Sequence, residues 1–440
     1  MGIESAGLGD IVRRHAAERP NTAAIVHRGH ITTYAALDRA ASRVAQGLIT
    51  EGIKPQARVA HLDKSSDIFF ELLFGAAKAG AVMVSVNWRL AAPEVMHIVN
   101  DAEAEILFVG DEYFPLIEKI RDELKTIRKI VAFGSRHGAW ESFADWRDRH
   151  PAVDPNLAAQ PSDTAIQFYT SGTTGLPKGA ELTNANFAWM LPLWTKTWLL
   201  GPGVPNLVCL PMFHIGGAGW GMAGLFSGAT NHVVREFVPA EILKIIERER
   251  LQVMLLVPAM ILFLVQAPQI HETDLSSLRL IVYGAAPIPA DLLKQAMTLF
   301  PCGFQQVYGL TETTGAITVL PPEDHDPADA QRLQSCGFAQ MGVELRIVGD
   351  NGDDQLPGKV GEIAVRSRQI MGGYWKLPEA TKRAIQGDWF FTGDAGYLDE
   401  KGYLYIYDRV KDMIVSGGEN IFPPRSKAHC SAILPWPTWL

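Results

Sequence analysis

Residues 57–86 read ARVAHLDKSSDIFFELLFGAAKAGAVMVSV, and their reading decides the fold. ARVAHL is an apolar run of strand length. A helix opens on Ser66 or Asp67, runs through FFELLFGAAK and stops at Gly80. AVMVSV is then a second strand. Strand, helix and strand in short succession predict parallel strands in a sheet covered on both faces. The rhythm continues with the helix APEVMHIVNDA and the strand EILFVG, and returns in NLVCLP, AEILKIIERER, QVMLLV and LRLIVYG. After about residue 335 it changes. VELRIV, GEIAVRS, GYLYIYD and DMIVSGG are short strands joined by Gly, Asp and Pro turns, which predicts an antiparallel, barrel-like subdomain. The expected class is α/β. Stacked, mostly parallel sheets occupy residues 1–335, the small antiparallel subdomain residues 336–408, and a further segment residues 409–440.

Composition narrows the function. The chain has 440 residues, 47% hydrophobic and 20% charged, with a formal net charge of −8. That balance is globular, and its sign argues against a nucleic-acid or anionic-membrane surface. Cys209, Cys302, Cys336 and Cys430 are far apart with no CxxC pair, which fits a reduced, cytoplasmic protein without a zinc site or disulfide frame. The first twenty residues hold no apolar signal core, and Ala6 breaks the myristoylation pattern. The most apolar run, LQVMLLVPAMILFLVQA at 251–267, is short for a membrane span and is interrupted by Gln252, Pro258 and Gln266. It reads as a buried strand followed by a helix starting at Pro258, where the missing N–H costs nothing.

The chemistry concentrates in YTSGTTGLPKG, residues 169–179. Gly172 and Gly175 let backbone N–H groups approach an anion closely. Thr170, Ser171, Thr173 and Thr174 add hydroxyl donors, and Lys178 adds a point charge. Together these suit a polyphosphate. A Walker A loop is excluded, because Lys178 follows Pro177 and precedes Gly179.

The same stretch resembles the signature of the adenylate-forming superfamily of acyl-CoA synthetases, luciferases and peptide-synthetase adenylation domains. Other stretches agree in order: YGAAP at 283–287, YGLTETTG at 308–315, FTGD at 391–394 and DRVKDMIVSGGENIFP at 408–423. The resemblance runs from about residue 33 to residue 423. It implies ATP, Mg²⁺ and coenzyme A as cofactor and co-substrates. Gly284, Ala285, Ala286 and Pro287 would form the adenine loop, with Tyr308 packing on the base. Thr311 would bond the phosphate or acyl carboxylate, and Glu312 would hold the metal. Asp394 would take the ribose hydroxyls, Arg409 the ribose or phosphate, and Lys411 would be a hinge. Gly417 and Gly418 would lie on the coenzyme A side. His214, Gly216, Gly217 and Trp220 would border the acyl pocket, the glycines leaving room and Trp220 giving an apolar wall. Read as bare sequence, Thr311 and Glu312 also suit a capped helix start, Asp394 an ordinary Gly-Asp turn, and His214 a structural histidine.

The resemblance is strongest to bacterial medium- or long-chain fatty-acid–CoA ligases. The implied reaction is attack of a carboxylate on the α-phosphate of ATP, release of pyrophosphate, and displacement of AMP by a thiol. Alternatives are an adenylation domain that loads a carrier protein, and a catalytically inactive nucleotide-binding remnant. Expected partners are a small carboxylic acid, ATP and coenzyme A, with no nucleic acid, at most peripheral membrane contact, and self-association left open. Relatives continue past GGENIFP into a mobile α+β domain with a catalytic lysine, and residues 424–440, PRSKAHCSAILPWPTWL, do not match its start. Back-translated one base out of frame they can read AEVESALFSHPAVADVA, which resembles that start. The expectation is a shifted frame, an absent C-terminal domain and impaired ligase activity; a natural divergent terminus is the alternative.

Overall fold

A computed structural model describes residues 7–170, 176–349, 351–409, 414–416 and 419–421, with side chains described up to residue 406. The expectations for Ser171, Gly172, Thr173, Thr174, Gly175, Lys411, Gly417, Gly418 and the 424–440 tail lie outside the described residues.

Two large sheets carry the fold. The eight-stranded one runs in the order Gly373–Tyr374, Lys178–Thr183, Thr164–Thr170, Val82–Ser85, Arg58–Leu62, Ile106–Val109, Lys129–Ala132 and Glu141–Ser142. Its pairs from Thr164–Thr170 through Glu141–Ser142 are parallel, and the first two strands add antiparallel at the edge. The nine-stranded sheet runs Phe338–Ala339, Gly315–Leu320, Gly303–Leu310, Leu280–Gly284, Val253–Leu256, Pro205–Val208, Thr230–Val233, Ala23–His27 and His30–Thr33. Its central pairs are parallel. A third, antiparallel sheet of five strands holds Val343–Val348, Gly361–Ser367, Trp389–Leu398, Ile385–Gln386 and Leu404–Arg409. Two short strands from beyond residue 335 leave this subdomain: Phe338–Ala339 joins the nine-stranded sheet, and Gly373–Tyr374 the eight-stranded one.

The decisive stretch folds as strand Arg58–Leu62, helix Asp67–Lys78 and strand Val82–Ser85, with the two strands parallel. The helix buries Phe69, Phe70, Leu72, Leu73 and Phe74, and so lacks a solvent face. The helix Ile215–Ser227 is buried continuously from Gly217 to Leu225. A helix apolar all round belongs inside a core. Both sit in one cluster that also takes Met83 and Ile166 from one sheet and Val208, Val253 and Val282 from the other. The two helices touch where a Cβ on Gly221 would fall 2.4 Å from Phe70 Cζ. Burying the Phe70 ring contributes about 2–3 kcal/mol, so Gly221→Ala would force apart the contact that joins the layers.

Lys78 is fully buried, yet its ammonium is paired: with Asp38 at 2.5 Å, Asp154 at 2.7 Å and Ser42 at 2.9 Å. This pins the irregular segment around Asp154 to the core helices. The 251–267 run forms the strand Val253–Leu256 and the helix Pro258–Gln266, as read from sequence. No helix among the described residues is long and apolar enough to cross a membrane.

Candidate active site

Ligands of open α/β sheets gather at the carboxyl ends of the parallel strands. Here the carboxyl ends of two sheets meet. Thr170 ends Thr164–Thr170 in the eight-stranded sheet, and Glu312 follows Gly303–Leu310 in the nine-stranded one. Thr170 Oγ1 donates to Glu312 Oε1 at 3.0 Å. Tyr374 OH donates to the same oxygen at 2.9 Å, and Lys178 Nζ lies 5.1 Å from the centre of the Tyr374 ring. The lysine segment and the Glu312 segment, 134 positions apart from Lys178 to Glu312, thus form one cluster.

Glu312 is 8% exposed. Residues 310–315 form a tight turn between antiparallel strands, so the capped helix start open to the bare sequence does not form. Thr313 Oγ1 accepts from Leu310 N at 2.9 Å and donates within the turn, and Thr314 stands at φ 51° with its hydroxyl donating to Gln369 O at 2.6 Å. Gln369 Nε2 donates to Thr313 O and Ala316 O. These bonds hold a non-glycine residue in the left-handed region.

Tyr374 was not singled out in the sequence. It sits in a two-residue strand paired with the lysine strand, Tyr374 opposite Ala180. Burial, then the charge of Glu312, raises its phenol well above the usual range, so it stays protonated and donating. The guanidinium carbon of Arg58 lies over the ring of neighbouring Trp375, 3.4 Å from the ring centre. Arg58 pairs with Glu181 at 2.6 Å and donates to Gln167 at 3.2 Å. Trp375 Nε1 donates to Asp101 O, and Tyr169 OH to the Asp101 carboxylate at 2.6 Å. The only sequence signal for this support was aromatic: Tyr374 and Trp375 directly after two glycines.

The residues expected from the sequence to meet the nucleotide include a second bonded pair, Tyr308 and Asp394. Tyr308 OH donates to Asp394 Oδ2 at 2.7 Å, joining the nine-stranded sheet to the five-stranded one. Burial, then the Asp394 charge, raises the Tyr308 phenol. Asp394 is 4% exposed and follows Gly393 at φ 75°, whose N–H donates to Glu362. Arg409 stands opposite Asp394 in the strand register. Gly284 ends its strand, and Ala285 behind it is exposed at φ 66°. Ala286 is half-buried and Pro287 exposed in the loop that follows. Thr311 is half-buried, and its carbonyl accepts from Thr314 N.

His214 caps the helix Ile215–Ser227, its ring 4.3 Å from that of Phe213. The glycines after it do not face open space. A Cβ on Gly217 would lie 2.3 Å from Pro211 O, one on Gly216 3.5 Å from Leu210 Cδ1. Gly217 lets the helix approach the preceding loop, whereas a Cβ on Gly216 would make only ordinary van der Waals contact. Trp220 is 2% exposed, its N–H donating to Leu207 O at 2.9 Å and its ring 5.0 Å from Trp198.

The donor set suits a hard cation. Two hydroxyls meet one oxygen of Glu312, and a carboxylate has about four lone-pair sites. Mg²⁺ takes one or two carboxylates and fills its shell from substrate phosphates and water. Among the described residues no group of three or more His, Cys, Asp or Glu could hold a metal ion.

Residues 12–375 match the family described as AMP-binding enzyme. Among similar proteins, the fatty acid–[acyl-carrier-protein] ligase ScoC of Streptomyces coeruleorubidus is 38% identical over 93% of this chain and 78% of its own length. The long-chain-fatty-acid–CoA ligase FadD13 of Mycobacterium tuberculosis is 34% identical over 94% of this chain and 81% of its own. The inhibitor-bound N-terminal domain of FACL13 from Mycobacterium tuberculosis superposes with a TM-score of 0.85 at 33% identity, covering 92% of this chain and 99% of that one.

Proposed function

Because the chain belongs to the AMP-binding enzyme family, we propose that it joins a fatty acid to the thiol of coenzyme A through an acyl-adenylate. The observation that carries this is the convergence of Thr170 and Tyr374 on the Glu312 carboxylate, with Lys178 against the Tyr374 ring. In the first step a carboxylate oxygen attacks the α-phosphorus of ATP, and the bond to pyrophosphate breaks. In the second a thiol sulfur attacks the acyl carbon, AMP leaves, and the thiol proton goes to solvent.

Lys178 stands where negative charge accumulates on the transferring phosphate, and fixed positive charge there lowers the barrier. Glu312 would hold Mg²⁺, which would supply neutralisation of charge on the phosphates. Thr170 and Tyr374 fix the carboxylate by donating to one of its oxygens, leaving the other to face the nucleotide. Asp394 accepts the ribose hydroxyls, with Arg409 beside it in register, and Tyr308, oriented by its bond to Asp394, packs on the adenine. Ala285 opens the loop that passes the base. His214, capping its helix, borders the acid.

A second reading concerns the acceptor. ScoC loads a carrier protein and is 38% identical, which supports a carrier-borne thiol in place of free coenzyme A. The test measures fatty-acid-dependent pyrophosphate release, with mass spectrometry of the thioester formed from coenzyme A or from a phosphopantetheinylated carrier. Mg·ATP is expected to raise the melting temperature, and Lys178→Ala to weaken that shift. Equal responses to ATP in wild type and Lys178→Ala would sink the assignment.

A further inference from the structure

We infer that Gln369 is a positioning residue that holds the Glu312 carboxylate in place for the metal; this rests on the reading of Glu312 above as the Mg²⁺ ligand. Gln369 lies in the loop after the strand Gly361–Ser367 and is 1% exposed. Its Nε2 donates to Thr313 O at 2.8 Å and to Ala316 O at 2.9 Å. The two residues between those carbonyls both stand at positive φ, Thr314 at 51° and Gly315 at 109°. One primary amide, with its two N–H groups, thus closes the part of the turn whose backbone is least favourable. The backbone of the same loop completes the grip. Gln369 O accepts the Thr314 hydroxyl at 2.6 Å, and Met371 N donates to Glu312 O at 2.8 Å.

The loop is itself tied to the lysine strand. Asn186, 4% exposed, donates from Nδ2 to Arg368 O at 3.0 Å and to Ile370 O at 2.8 Å, the carbonyls on either side of Gln369. Asn186 Oδ1 accepts from Thr183 N at 2.8 Å, and Thr183 ends the strand Lys178–Thr183. A route of hydrogen bonds therefore runs from the lysine strand through Asn186 and the Gln369 loop to the Glu312 turn, without passing through the carboxylate. Thr170 and Tyr374 both bond the carboxylate at Oε1. A metal would compete with them for that group, whereas the amide bonds of Gln369 stay outside the competition and keep the turn in place. Partners that orient a metal's ligand without touching the metal are worth roughly 10–100-fold in its affinity.

Calorimetric titration with ATP, in Mg²⁺ and again with a chelator, tests this on the full chain. Gln369→Met fills the same space but offers no donor to Thr313 O and Ala316 O. It should cut the Mg²⁺-dependent gain in ATP affinity about tenfold and leave the affinity in chelator unchanged. Gln369→Asn keeps an amide one methylene shorter, serves if the methionine variant fails to fold, and should show the same selective loss. Ser335→Ala controls for the plain loss of buried bonds. It removes a donor to Leu404 O at 2.9 Å and an acceptor for Gly337 N at 2.9 Å, neither of them in the Glu312 turn. That variant should lower the melting temperature but keep the full gain from Mg²⁺. A full gain in the Gln369 variants, or an equal loss in Ser335→Ala, overturns the role of Gln369. If wild type gains nothing from Mg²⁺, the metal reading of Glu312 fails and the inference falls with it.

Discussion

Glu312→Gln separates charge from shape at the centre of the site. The amide oxygen can still accept from Thr170 and Tyr374, now 3.0 and 2.9 Å from Oε1. Each bond loses its charge assistance, about 1 kcal/mol apiece. Glu312 is 8% exposed, and a buried amide costs less desolvation than a buried carboxylate, which offsets the loss. Folding stability should therefore change by no more than about 1 kcal/mol, or about 1 °C in melting temperature for a chain of 440 residues. Nucleotide binding should respond differently. A unit charge pair about 4 Å apart interacts by roughly 4 kcal/mol at an effective dielectric near 20. Losing the anionic ligand should therefore weaken Mg-supported ATP binding by about 10²–10³-fold. Calorimetric titration with ATP, in Mg²⁺ and again with a chelator, measures both terms. Wild type should lose affinity on chelation, whereas Glu312→Gln should start weak and change little. A variant that keeps the full wild-type dependence on Mg²⁺ would refute Glu312 as the metal-facing carboxylate.

Arg58→Met should destabilise the fold by about 2–3 kcal/mol in urea denaturation, because it strands Glu181. That is less than for a fully buried pair, since the Glu181 side chain is 22% exposed. Arg58→Met/Glu181→Gln should regain part of this, and singles that simply add would contradict a coupled pair. His61 is fully enclosed by Phe69 and Phe133, and burial lowers its pKa from 6.5 to about 4. The unfolded chain therefore binds more protons between those values. The stability that neutral His61 supplies is present above pH 6.5 and lost as pH falls towards 4, by about 3 kcal/mol in all. His61→Leu should flatten the acid limb of stability against pH, and an unchanged limb would show that His61 does not drive it.

The sequence carried the strand and helix alternation because apolar runs and their boundaries are local signals. Asp67–Lys78 and the helix at Pro258 needed nothing distant to be read. Gly373–Tyr374 was not legible, since two residues carry no periodicity and their partner lies nearly two hundred positions away in the lysine strand. Glu312 shows a different limit. Thr and Glu serve equally at a helix start and in a tight turn, and only the antiparallel pairing of Gly303–Leu310 with Gly315–Leu320 decides between them. The glycines after His214 show a third. A glycine signals close approach, but not of what. Gly217 meets the Pro211 carbonyl, and Gly219 meets Trp194.

The chemical groups are divided among three sheets. Thr170, Lys178 and Tyr374 come from the eight-stranded sheet, Tyr308 from the nine-stranded one with Glu312 on its terminal turn, and Asp394 from the five-stranded one. Two hydrogen-bonded junctions among the described residues, at Glu312 and at Asp394, join these groups. Each junction ends on a carboxylate that a nucleotide's metal or ribose would also use. The bonds that assemble the free site are thus on the same carboxylates to which the proposed function gives the ligand. A nucleotide that engages both carboxylates should therefore tighten the seam between the sheets. Substitutions at the two junctions, Tyr374→Phe and Tyr308→Phe, should then couple more strongly with ATP bound than without it, because the bound nucleotide spans both and makes each depend on the other.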